Sequence, residues 1–169
     1  ITLRRLLCDL QSGTIAALFA TDLRPLPTAE TSALQGVQFV RADLRKIDTL
    51  RDVFQLARPD IVIHLAAVLD SASMPADVQY DIDVEGTRRV LQLCTEFSTR
   101  RILISSSGAA YGYHADNPAW LCESDPLRGN DIFLYSKHKR QIEELLAEYK
   151  KTQPKLEQII FRVGTIRSE

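Results

Sequence analysis

Short continuous apolar runs alternate along this chain with stretches in which apolar residues recur every three or four positions. Leu3, Leu6, Leu7 and Leu10 share one helical face and predict a helix at the start. No capping residue introduces it, so the chain is expected to begin inside an element. Thr14 to Thr21 (TIAALFAT) predicts a buried strand ending at Asp22, and the proline-containing stretch Arg24 to Gln35 predicts a loop. Val37 to Val40 predicts a second strand, leading into Arg41-Ala42-Asp43. Ile47, Leu50, Val53, Phe54 and Ala57 follow helical spacing, and Pro59 ends that helix. Ile61 to Ala67 (IVIHLAA) predicts a third strand. Ala76 to Phe97 predicts one long helix with Val78, Ile82, Gly86, Val90, Cys94 and Phe97 on its buried stripe. Arg101 to Ser105 (RILIS) predicts a fourth strand. Asp131 to Tyr149 predicts a helix with Ile142, Leu145, Leu146 and Tyr149 inward, and Leu156 to Val163 a fifth strand.

Strands that are continuously apolar, and that alternate with helices, imply a parallel sheet covered on both faces, an α/β fold. The long stretch from Gly108 to Asn130 follows the fourth strand. In open α/β sheets the ligand crevice lies beyond the strand C-termini, and a loop of that length is usually functional.

Composition narrows the function classes. The chain has 169 residues, 45% hydrophobic and 25% charged, which is ordinary globular composition. A formal net charge of −1 gives no electrostatic basis for a nucleic-acid partner. The apolar runs are too short to span a bilayer, so no membrane association is expected. Cys8, Cys94 and Cys122 lie far apart with no metal-binding spacing, so no metal is expected, and a reduced, cytoplasmic setting is.

The candidate chemistry centres on Tyr135-Ser136-Lys137-His138-Lys139, where Tyr135 and Lys139 share a helix face. A phenol normally titrates near ~10. A nearby ammonium favours the phenolate, the form that can act as a base. Ser105-Ser106-Ser107 lies at the end of a strand, where Ser107 can hold a substrate oxygen; the bland alternative is a turn satisfied by serine side chains. No Gly-x-Ser-x-Gly elbow is present, which argues against a hydrolase nucleophile. Asp22, after a strand, can accept the ribose hydroxyls of a dinucleotide, and Asp43 an adenine amino group; the alternative for each is a loop carboxylate or helix cap.

Together these residues resemble the extended short-chain dehydrogenase/reductases, specifically the NAD-dependent epimerase/dehydratase family. Ala42-Asp43-Leu44 resembles the adenine-contacting Asp-hydrophobic pair, and His64-Leu65-Ala66-Ala67 the cofactor-facing "H-x-A-A" strand end. Val84-Glu85-Gly86-Thr87 resembles "N-V-x-G-T", with Asp83 where the family usually has Asn. Ser105 to Gly112 resembles "S-S-S-x-x-x-Y-G", Tyr135 to Lys139 the Y-x-x-x-K pair, and Phe161-Arg162-Val163 the closing "hydrophobic-R-P", with Val163 in place of Pro. Pro118, Glu123 and Pro126 resemble the spaced Pro and Glu of the substrate loop.

The resemblance implies a Rossmann-like doubly wound parallel sheet and NAD as cofactor, with NADP the other choice because Arg24 follows Asp22. Residues 1–169 would be a partial NAD(P)-binding domain. Its first strand and Gly-rich loop, and the C-terminal substrate domain, would lie outside this chain. Ser107, Tyr135 and Lys139 would be catalytic. Asp22, Asp43, Leu44, Leu65, Ala66, Ala67, Asp83, Tyr135, Lys139 and Val163 would bind cofactor. The substrate would be a small molecule such as a nucleotide sugar, and the two long helices the surface of a homodimer. The alternative function is a non-catalytic NAD(P)-binding or sensor protein on the same fold. His64 is expected to be a core or strand-end histidine, His138 a packing residue and His114 solvent-exposed. Trp120 is expected to be a lid or to pack in the loop. Glu143-Glu144 and Lys150-Lys151 are expected on a solvated helix face.

Overall fold

The computed structural model describes residues 2–25, 34–68 and 74–164, with side chains from residue 5 onward. The chain divides into two compact units, Ile1–Ala57 and Arg58–Glu169.

In the first unit, α1 (Thr2–Gln11) leads to the parallel pair β1 (Leu18–Asp22) and β2 (Val37–Arg41), with Leu18 opposite Val37 and Asp22 opposite Arg41. Leu7 is buried on the apolar face of α1; the side chain of Leu3 lies outside the described residues. β1 is shorter than the predicted strand, because Thr14 and Ile15 turn back to bond the Asp9 carbonyl. Most of the expected loop at 24–35 lies outside the described residues. α2 (Ile47–Ala57) buries Leu50, Val53 and Phe54, as its spacing predicts.

The second unit is a three-stranded parallel sheet in the order β3 (Ile61–His64), β4 (Arg101–Ser107), β5 (Glu157–Val163). β3 stops at His64, three residues short of the predicted end. β4 runs two residues further than predicted, because its pairing continues through Ser105–Phe161 to Ser107–Val163. Ile102, Ile104 and Ser106 point into the core, and burying the two isoleucines contributes about 1.5–3 kcal/mol each.

The predicted helix from Ala76 to Phe97 is not one regular helix. α3 (Ala76–Tyr80) passes into a π-helical turn at Asp81–Glu85 and then into α4 (Gly86–Glu96). The Gly86 amide reaches back five residues to the Asp81 carbonyl. Such a turn adds a residue and rotates the helix beyond it. The face that is buried there carries Gln79, Asp83 and Thr87, while Val78, Ile82 and Phe97 are only half-buried.

α5 (Leu134–Thr152) starts three residues later than predicted, after a turn closed by the Phe133 amide on the Asn130 carbonyl. Ile142, Leu145 and Leu146 are buried as expected, and Tyr149 is half-buried. Lys150 and Lys151 in the last turn suit the negative end of the helix dipole. Glu143 departs from expectation: it is buried.

Candidate active site

β4 delivers Ser107 to the C-terminal end of the sheet in an extended conformation (φ −149°, ψ 151°). Its hydroxyl oxygen accepts from the Ala109 amide at 3.1 Å, capping a single 3-10 turn, Gly108–Tyr111. A serine hydroxyl that accepts in this way still carries a hydrogen to donate. Ser136, fully buried at the head of α5, donates to the Ala109 carbonyl at 2.6 Å and accepts from the Asn130 amide at 2.9 Å. The turn that follows Ser107 is thereby fastened to the helix turn that carries Tyr135. Gly129 keeps the returning chain close: a Cβ there would meet the Arg140 Cβ at 2.9 Å and the Ser136 carbonyl at 3.0 Å.

Tyr135 is half-buried, and the Lys139 ammonium lies 5.5 Å from the centre of its ring. Lys139 Nζ donates to the Ser105 carbonyl at 2.9 Å. Only 4% of Lys139 is exposed, and that burial pulls its pKa below the ordinary lysine range, against the opposing charges of Asp83 and Glu143. One helix turn thus places a phenol and a buried ammonium beside the strand that ends in Ser107.

Behind them lies a polar cluster. Asp83 accepts from the Val68 amide at 2.8 Å through Oδ1, and its Oδ2 lies 2.9 Å from His138 Nδ1. The expected packing role of His138 is present too, since its ring meets Tyr80 edge-on at 5.8 Å. Thr87 donates to the Asp83 carbonyl at 2.6 Å, so its oxygen accepts from His64 Nε2 at 3.0 Å. Burial, aided by the charge of Lys139, pushes the His64 pKa down to about 4. Leu65 and Ala66 are exposed just past β3, Ala67 is half-buried, and Val163 at the end of β5 is 42% exposed. In the long loop His114 is half-buried rather than solvent-exposed, because it folds against Gly112, whose added Cβ would meet its ring. Trp120 is 91% exposed.

In the first unit, Asp22 ends β1 with an exposed carboxylate, whose Oδ1 accepts from the Arg24 amide at 2.8 Å. Asp43 is buried, and Arg45 grips it through Nε at 3.0 and 3.2 Å and through its terminal nitrogen at 2.7 Å. That guanidinium holds the Asp43 carboxyl below the usual carboxylate range. Leu44 is half-buried.

Residues 12–169 match the NAD dependent epimerase/dehydratase family. The chain belongs to that family. It is 31% identical over 131 residues to UDP-glucose 4-epimerase 2 of Oryza sativa subsp. japonica, covering 76% of this chain and 31% of that protein. It is 32% identical over 112 residues to 3beta-hydroxysteroid-dehydrogenase/decarboxylase isoform 2 of Arabidopsis thaliana, covering 65% of this chain and 19% of that protein. Among solved structures, it is 27% identical to a short-chain dehydrogenase/reductase superfamily protein of Agrobacterium tumefaciens with bound NAD. There the TM-score is 0.73, over 94% of this chain and 44% of the other. The chain therefore spans less than half the length of these relatives.

A second group of side chains in this family member was not visible from its sequence. Glu143, expected on a solvated face, accepts from Arg162 at 2.8–3.1 Å and from the buried Ser106 hydroxyl. Arg162 also donates to the Tyr111 hydroxyl at 2.6 Å and to the Glu123 carbonyl at 3.1 Å, while Tyr111 donates to the Cys122 carbonyl at 2.8 Å. The long loop after Ser107 is thus anchored from β5. Arg162 lies within the "hydrophobic-R-P" motif, which was the one signal that could have found it.

Proposed function

We propose that this chain carries the Ser-Tyr-Lys site of an NAD-dependent oxidoreductase of the epimerase/dehydratase kind, acting on a nucleotide sugar. The observation that carries this is the place of Lys139, buried on the Tyr135 face of α5 and bonded to the strand that leads to Ser107.

Each unit, taken by itself, carries groups that suit part of a dinucleotide. Asp22 has an exposed carboxylate at a strand end, which can accept from ribose hydroxyls. Lys139 gives one of its three N–H groups to Ser105 and keeps others for the nicotinamide ribose. NAD, when bound, would supply the acceptor and donor of hydride.

The residues of the chain do the rest. Ser107 donates to the reacting oxygen of the substrate and holds it. Tyr135 removes or returns the proton on that oxygen. The Lys139 ammonium, 5.5 Å from the centre of the Tyr135 ring, stands beside the proton-transfer site and orients the ribose. The likeness to a UDP-glucose 4-epimerase supports a nucleotide sugar as the substrate class.

The test is Tyr135→Phe in the intact protein, assayed against a panel of UDP-sugars with a 3β-hydroxysteroid as the contrasting arm. Turnover should fall at least ~100-fold, in keeping with the loss of a general acid–base group, while NAD binding persists. Undiminished turnover would remove Tyr135 from the mechanism. Turnover of the steroid alone would replace the substrate class.

A further inference from the structure

The buried Asp83–His138 contact has no part in the roles assigned to Ser107, Tyr135 and Lys139. Only 5% of Asp83 and 3% of His138 is exposed. The two residues lie on different elements, the π-helical turn and α5, and His138 immediately precedes Lys139. The other carboxylate oxygen of Asp83 takes the Val68 amide, in the chain segment that continues from β3 past Leu65 and Ala66. An ionised carboxylate only accepts, so it can serve the Val68 N–H and the His138 Nδ1–H together. Asp83 thereby bridges the Val68 amide and the His138 ring. An asparagine has a single acceptor oxygen and, with that oxygen on the Val68 amide, bonds the imidazole only by donating to an unprotonated Nδ1.

We propose that Asp83 and His138 form a positioning pair, tying the segment after β3 to the helix turn that carries Tyr135 and Lys139. The inference rests on the reading of that turn as the NAD and proton-transfer site. Three of the turn's side-chain bonds then reach past the loop that precedes α5: Ser136 to the Ala109 carbonyl, His138 to Asp83, and Lys139 to the Ser105 carbonyl. The first and third tie it to β4 and the turn that follows β4. Among the described residues, the pair ties it to the segment after β3, which in the same reading faces the cofactor.

The test measures NAD affinity in the intact protein by direct titration, with thermal melting alongside. His138→Leu removes the donor and keeps the bulk. A hydrogen bond to a buried charge is worth enough to weaken NAD binding by about tenfold or more. His138→Asn can offer an N–H near the Nδ1 position and should recover most of the affinity. Leu146→Ala, in the core of α5 away from the site, serves as the stability-matched control: it should lower the melting temperature and leave NAD affinity within about twofold. A downfield imidazole N–H resonance should be present in the wild type and absent in Asp83→Asn.

Unchanged NAD affinity in His138→Leu overturns the proposal, as does an equal loss of affinity in Leu146→Ala. Should His138→Leu not fold, Asp83→Leu, which can bond neither partner, decides in its place, and wild-type affinity there overturns the pair. Failure of the wild type to bind NAD at all refutes instead the functional reading on which the pair depends. In that case the imidazole resonance still decides whether the pair exists.

Discussion

The Lys139 ammonium donates to the Ser105 carbonyl at 2.9 Å, so the charge beside Tyr135 is held by the strand as well as by its own helix. A methionine can occupy the same apolar shaft but supplies no charge and no donor. Lys139→Met should fold and melt near the wild type. It should lose at least ~100-fold in kcat/KM, the usual scale for disabling proton transfer. Steady-state kinetics beside a melting curve will separate the two effects. Near-wild-type kcat/KM would mean that the ammonium does not assist Tyr135.

His64 sets a pH limit on folding. Its pKa in the folded protein is about 4, because it is buried beside Lys139, against ~6.5 for an unfolded chain. Between those values the unfolded chain binds the extra proton, so stability rises with pH. The contribution is complete above pH ~6.5 and is lost as pH falls toward ~4, amounting to roughly 3 kcal/mol. His64→Gln keeps a donor for Thr87 but cannot titrate. Its melting temperature should fall less steeply between pH ~6.5 and ~4. Parallel curves for the two proteins would show that His64 does not take up a proton on unfolding.

The range of each interaction decided how legible it was in the sequence. Ile102 and Ile104 declare a buried strand locally, and Tyr135 and Lys139 announce a shared helix face by spacing alone. The polar stripe of Gln79, Asp83 and Thr87 could not be read in this way, because hydrophobic periodicity assigns polar residues to the outside. The π-helical turn also shifted the stripe, so Val78 and Ile82 were given places that Gln79 and Asp83 occupy. Asp83 and His138 are 55 residues apart, and Glu143 and Arg162 are 19 apart. Each partner read singly looks like a surface charge or a packing ring. Asp43 was legible as a strand-end carboxylate, but its capture by Arg45, two residues on, was not.

The three cysteines should differ sharply in reactivity. Cys94 is fully buried, and burial pushes its thiol up to about 12, whereas Cys8 and Cys122 are exposed. The thiolate is the reactive form. A disulfide reagent at pH 8 should therefore modify two thiols quickly in the native protein and the third only after denaturant is added. Rapid modification of all three would place Cys94 at the surface or in a segment that opens readily.

Glu143 and Arg162 give the largest expected loss of stability. The carboxylate side chain is 2% exposed and the guanidinium 21%, and their nearest atoms are 2.8 Å apart. Arg162 also holds the Tyr111 hydroxyl and stands 5.0 Å from the centre of that ring, and Glu143 raises its pKa above the usual arginine range. Removing one partner of a buried pair costs about 3–5 kcal/mol, because it leaves the other charge without compensation. Glu143→Leu should therefore lower the melting temperature by roughly 10 °C in a chain of this size. Replacing both partners leaves no uncompensated charge, so Glu143→Leu with Arg162→Met should cost clearly less than the two single changes added together. Melting curves for the four proteins complete the cycle. Strict additivity would mean that the two side chains do not depend on each other, and that the loop after Ser107 is held in place by other contacts.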